Sequence, residues 1–207
     1  MKRSKFTLKI CRCIETFLRN DYRKHSHLDA NYGGAYYWNE RDIQWALYRH
    51  LRDRTKPYSI GSEWWVHAEG MIERPRYVRK NQWRGMKRAD VVFINHSDFK
   101  RWWRGETDER PPYKAMIEIK LIYSGMGRAN TIGSIQRDIK KLEACLNDGT
   151  AENAFLILLD GLNRHGCPYY QREDLENLKT STYLILYHWP DSKEPIDDPS
   201  RADFRKY

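Results

Sequence analysis

The feature that most constrains this chain is a strand whose apolar pattern is broken twice. The run Met116-Ile117-Glu118-Ile119-Lys120-Leu121-Ile122 is apolar and rich in β-branched residues, yet it carries two opposite charges. Strand side chains alternate between faces, so Glu118 and Lys120 share one face and Ile117, Ile119 and Leu121 the other. If the strand is central in a sheet, both charges enter a partly buried site. Unpaired charges there are costly, so they must meet each other, a metal or water. On an edge strand the same two residues would be an ordinary exposed ion pair. Upstream, Asp90 opens another apolar strand directly after Arg88. A strand-edge Asp beside a Glu-x-Lys strand is an arrangement that can hold a divalent cation, because Mg²⁺ prefers a few carboxylates plus waters.

The surrounding text reads as α/β. Phe6, Ile10, Ile14 and Leu18 recur every four residues and predict a basic amphipathic helix, broken by Asn31-Tyr32-Gly33-Gly34. Asn39 is the expected cap of a second helix, whose stripe is Ile43, Leu47 and Leu51 and whose end precedes Pro57. Strands are expected at 58–69, 89–94, 114–123, 154–161 and 182–189, with helices at 135–147 and 172–179. Residues 95–113 read as a polar connection, and 124–134 as a glycine-rich loop. This order predicts a mixed central β-sheet flanked by helices. The helix between 114–123 and 154–161 implies a parallel crossover. Three regions are expected: a basic N-terminal helical arm at 1–34, a core at 35–190 and a loose polar tail at 191–207.

Charge points to a partner. Lys and Arg number 37 against 28 Asp and Glu, a formal net charge of +9. Eight Trp and 14 Tyr argue against disorder. A folded, basic, aromatic-rich chain suggests a polyanion, most often nucleic acid, although an acidic protein would also fit. The expected phosphate contacts are Arg74, Arg76, Arg79, Lys80, Arg84, Lys87 and Arg88, interleaved with Tyr77 and Trp83, together with Lys140. No stretch approaches the roughly 20 apolar residues of a membrane span. The basic start is interrupted by Lys9, Arg12 and Glu15 and does not read as a signal peptide, so a cytoplasmic location is expected. Cys11-x-Cys13 with His25-x-His27 lacks zinc-ligand spacing. The glycines at 125, 127 and 133 are followed by no Gly-Lys-Ser/Thr, so they form no phosphate-binding loop.

Asp90 with Glu118-Ile119-Lys120 resembles the motif of the PD-(D/E)XK nuclease superfamily, the restriction-endonuclease-like fold. The resemblance covers roughly residues 38–189. Glu40 matches an acid that many members carry on their first core helix, and Gln136 a polar residue on the helix after the motif, with Lys140 one turn on. Ala89 stands where the motif often has proline, and the segment between Asp90 and Glu118 is longer than in the smallest members. The resemblance implies phosphodiester hydrolysis with Mg²⁺ or Mn²⁺. It places metal on Asp90, Glu118, the backbone carbonyl of Ile119 and Glu40, and gives Lys120 the attacking water or the phosphate charge. DNA is expected over RNA, in restriction, defence or mobile-element processing. A homodimer and a partner ATPase or helicase are further expectations. The rival reading is a non-catalytic nucleic-acid-binding or protein-interaction module on the same fold. Taken singly, Glu40 fits a first-turn acid favoured by the helix dipole, and Gln136 with Lys140 fits a solvated helix face.

Overall fold

The computed structural model describes residues 5–22, 39–54, 64–71, 88–122, 128–160, 182–187 and 202–206. The elements are α1 (Lys5–Phe17), α2 (Glu40–Arg54), β1 (Trp64–Met71), β2 (Arg88–Asn95), α3 (His96–Trp103), β3 (Ala115–Ile122), α4 (Arg128–Asn147), β4 (Ala154–Asp160), β5 (Tyr183–Tyr187) and β6 (Ala202–Lys206). The strands form one mixed sheet in sequence order, β1 to β6. β1, β2 and β3 run antiparallel, β3, β4 and β5 parallel, and β6 antiparallel to β5. The expected mixed α/β architecture and the parallel β3–α4–β4 connection are both present.

Alternation sorts the core into two layers. Val91, Phe93, Ile117, Ile119 and Leu121 face a layer formed by α1 and α2. Val92, Met116, Ile122, Leu156 and Leu158 face α4. Both faces are covered, so β4 reads as an unbroken apolar run. α2 starts where its cap chemistry demands: Asn39 Oδ1 accepts from the amides of Arg41 (2.8 Å) and Asp42 (3.1 Å).

Four expectations need correction. The N-terminal helix is no arm, because its apolar stripe packs into the sheet's core. Ile10, Ile14 and Phe17 are buried there, Phe6 meets Phe93 edge-on, and Thr7 donates to Asn153. Within the 95–113 connection lies α3, capped by Asn95, whose side chain accepts from the Asp98 amide. The glycine-rich loop is largely helix: α4 begins at Arg128, and buried Thr131, Ser134 and Ile135 outweigh the cost of Gly133 inside it. The C-terminal tail contains β6, which extends the sheet beyond β5. The helix expected at 172–179 lies outside the described residues. No helix among the described residues is long and apolar enough to cross a membrane.

Ile14 is fully buried between α1 and the sheet. Ile14→Ala should destabilise the chain by about 2–5 kcal/mol in denaturant unfolding, the cost of a core cavity. A loss under about 1 kcal/mol would restore the separable arm.

Candidate functional site

The site is a parting of two strands. β2 and β3 pair only from Val91↔Ile117 to Phe93↔Ala115, although β2 reaches back to Arg88 and β3 on to Ile122. β3 pairs along its other edge with β4 from Met116 to Ile122. From Ile119 onward, therefore, the β2-facing edge of β3 has no strand beside it among the described residues. Its amides still need acceptors. Carboxylates supply them: Asp90 Oδ2 accepts from Ile119 N–H at 2.7 Å, and Glu40 Oε1 from Leu121 N–H at 3.0 Å. Gln44, one turn after Glu40 on α2, donates from Nε2 to the Asp90 carbonyl at 2.7 Å. α2 thus holds both arms of the fork.

Glu118 and Lys120 project together onto the α4 side, as alternation requires, and β3 is an interior strand. Glu118 is only 6% exposed, which removes the exposed edge-pair reading. Lys141 Nζ on α4 lies 2.7 Å from Glu118 Oε2 and donates to the Arg88 carbonyl at 3.0 Å. Lys120 Nζ lies 3.1 Å from Asp138 Oδ2 and 3.6 Å from Glu40 Oε1. One ammonium therefore meets acids from helices on opposite faces of the sheet, which only an open fork permits. Glu118 Oε1 is buried and has no hydrogen-bond partner among the described residues.

The electrostatics follow from burial. Burial pushes Glu118 up to about 8, the Asp90 carboxylate adds to the rise, and Lys141 opposes it. Burial likewise pushes Asp90 up to about 6, against the Ile119 amide and Lys141. Burial alone would lower Lys120, but Asp138 and Glu40 outweigh it and hold its ammonium above the usual lysine range.

Among the expected site residues, Asp90, Glu118, Lys120, Glu40 and the backbone of Ile119 converge. Gln136 and Lys140 do not: both are exposed on α4, turned away from the sheet. Starting the helix at 135 made Gln136 look like an opening residue. The buried stripe of the longer helix, Thr131, Ile135, Ile139 and Leu142, instead sends Asp138 and Lys141 towards β3. Gln44, Asp138 and Lys141 were missed. The available signal was spacing: Gln44 lies four residues after Glu40, and Asp138 and Lys141 flank the apolar stripe. Arg88 opens β2 with an exposed side chain. Arg74, Arg76, Arg79, Lys80, Arg84 and Lys87 lie outside the described residues.

Among the described residues, no three His, Cys, Asp or Glu side chains are grouped to hold a metal ion. What the fork offers a hard cation is two carboxyls, Asp90 and Glu118, with Glu118 Oε1 already stripped of other partners. The Ile119 carbonyl points to the same strand edge as its amide. One or two carboxylates plus oxygens and waters is a donor set that suits Mg²⁺. Compared with known proteins, the chain matches no family model, no curated protein and no solved structure.

The raised carboxyls fix a pH response. A carboxyl that titrates higher in the folded than in the unfolded chain stabilises below its unfolded value, near 4, and the benefit is lost as pH rises through its folded value, here about 6 for Asp90 and about 8 for Glu118. In metal-free protein, Glu118→Gln should therefore flatten the fall in melting temperature between about pH 5 and 8 relative to the unsubstituted chain. Parallel melts across that range measure the difference. Identical slopes would assign the titration to another group.

Proposed function

We propose that this chain is a metal-dependent nuclease of the PD-(D/E)XK type, which hydrolyses phosphodiester bonds of DNA. The observation that carries this reading is the fork itself. Asp90, Glu118 and Glu40 gather with Lys120 where β2 and β3 part, and three of these groups sit on three different elements. The elements α2, β1, β2, β3, α4 and β4 follow one another along the chain, so the fork is flanked by a helix before it and a helix after it.

Asp90 and Glu118, with the Ile119 carbonyl, would hold the cation, and Glu40 would reach it directly or through a water. Bound Mg²⁺ or Mn²⁺ lowers the pKa of a water and neutralises charge on the phosphate. Asp138 and Glu40 keep Lys120 protonated and fix its ammonium beside the fork. From there it can orient the attacking water or stabilise charge developing on the phosphoryl oxygens. Gln44 and Lys141 act on geometry, one holding the Asp90 backbone and the other tying Glu118 to the end of β2. Burial around Glu118 keeps competing water away from the carboxyl that must bind metal.

A second reading is a non-catalytic binding module on the same fold. The observation in its favour is that Glu118 and Lys120 already have partners of opposite charge, Lys141 and Asp138.

Cleavage assays on single- and double-stranded DNA and on RNA, with Mg²⁺ or Mn²⁺, separate the two. The nuclease should cut, and Asp90→Ala, Glu118→Ala and Lys120→Ala should each lower the rate by about 100-fold or more while the folded state persists. If the unsubstituted chain cuts no substrate with either metal, and all four proteins bind nucleic acid equally, the binding module replaces the enzyme.

A further inference from the structure

The carboxyl oxygens of the fork divide into those already held and those left open. Glu118 shows the division within one group. Its Oε2 lies 2.7 Å from Lys141 Nζ, while its Oε1 is buried with no hydrogen-bond partner among the described residues. The same Nζ donates to the Arg88 carbonyl at 3.0 Å, so oxygens from two strands fix the ammonium. Its charge acts on Asp90 as well as on Glu118. The second ammonium takes a different pair of acids. Lys120 Nζ lies 3.1 Å from Asp138 Oδ2 and 3.6 Å from Glu40 Oε1, and that Glu40 oxygen also accepts from the Leu121 amide. Asp90 gives its Oδ2 to the Ile119 amide. Each of these four carboxyls therefore has an oxygen committed to the chain's own donors.

Donors and charge then bear on how many cations the fork can take. Two divalent ions side by side need a carboxylate that bridges them with both oxygens, and further oxygens on each ion. Glu118 feels both Asp90 and Asp138, so it is the carboxyl placed to bridge. Lys141 already holds one of its two oxygens. Asp138, which could serve a second ion, is paired with Lys120. Among the described residues no three His, Cys, Asp or Glu side chains are grouped, so no second ligand set stands in reserve. Charge gives the same count. With all four carboxyls ionised, as metal binding requires, the two ammoniums leave two negative charges in excess. One divalent cation balances that excess. A second would make the site as positive as it had been negative.

We infer that the fork takes a single divalent cation, and that the Lys141 ammonium holds the Glu118 oxygen a second one would need. The inference rests on the reading of the fork as a metal site. Lys141 is then a positioning residue. By keeping Oε2 it leaves Oε1 as the oxygen that Glu118 offers, and it limits how many cations enter. Lys120 supplies the further positive charge that two-ion sites take from their second metal.

The test counts Mn²⁺ bound to the full chain without nucleic acid, so that cleavage plays no part. Electron paramagnetic resonance reads the free ion through a titration, and calorimetry gives the affinity. The unsubstituted chain should bind one equivalent. Glu118→Ala should weaken that binding by about 10-fold or more, and ions that survive this substitution are surface binding to be subtracted. Lys141→Met keeps the stem, removes the charge and should take up a second equivalent. Lys141→Arg keeps the charge and should stay at one. Thermal melts establish that each variant folds. If Lys141→Met does not, Lys141→Gln, which retains a donor for the Arg88 carbonyl, carries the same expectation. Two equivalents on the unsubstituted chain overturn the inference, as does none, and as does binding that Glu118→Ala leaves intact. So does a neutral variant at Lys141 that stays at one, which would leave Lys141 a purely structural partner of Glu118. One equivalent on a chain that cuts no substrate would keep the inference while the nuclease reading fell. Two equivalents with metal-dependent cleavage would do the reverse.

Discussion

Two backbone amides organise the centre of this molecule. Ile119 and Leu121 point their N–H groups to an edge of β3 that β2 has already left. A buried amide without an acceptor costs about 1–3 kcal/mol, so something polar must stand where a strand would have been. The chain puts acids there. Asp90 remains on the diverging strand and turns its carboxyl back across the gap, and Glu40 reaches in from α2. Acids therefore sit at the fork for a structural reason before any function is considered. The same bonds aim two carboxyls at one place.

That solution brings a charge problem, and the helices answer it. Burial raises the proton affinity of both Asp90 and Glu118, and a neighbouring carboxylate raises each further, Glu40 for Asp90 and Asp90 for Glu118. Lys141 and Lys120 compensate, each anchored to a second group, the Arg88 carbonyl for one and Asp138 for the other. Each ammonium ties an element to its neighbour: Lys141 joins β2, β3 and α4, and Lys120 joins β3, α2 and α4. Removing one partner leaves the other without its counter-charge in a largely enclosed site, which costs stability. The network is therefore part of what holds the two layers together. Its four carboxyls against two ammoniums still leave the fork formally short of positive charge, in a chain whose total is +9.

Much of this was legible in the sequence, and the failures have physical causes. Glu118 and Lys120 stood out because charges in an apolar strand are rare unless something pairs them. Asn39 was readable as a cap because the amides after it need an acceptor. The mixed sheet and the parallel crossover followed from the order of the elements and from the helix between two strands. Helix phase was harder. Gly133 suggested a loop, and a helix begun too late turns the wrong residues inward, so Gln136 and Lys140 stood where Asp138 and Lys141 belong. The packing of α1 was hidden for another reason. An amphipathic helix declares that it will cover something, but its sequence does not say whether that is its own sheet or a partner.

The arrangement of α1 and α2 separates two kinds of charge across one sheet. At the fork, the Ile119 and Leu121 amides draw carboxyls inward from both faces, Asp90 from β2 and Glu40 from α2. On the α1 side, the apolar stripe is spent on the core, so Lys5, Lys9 and Arg12 can only face out. A divalent cation in the fork would in turn reduce the repulsion between those carboxyls and an approaching phosphate.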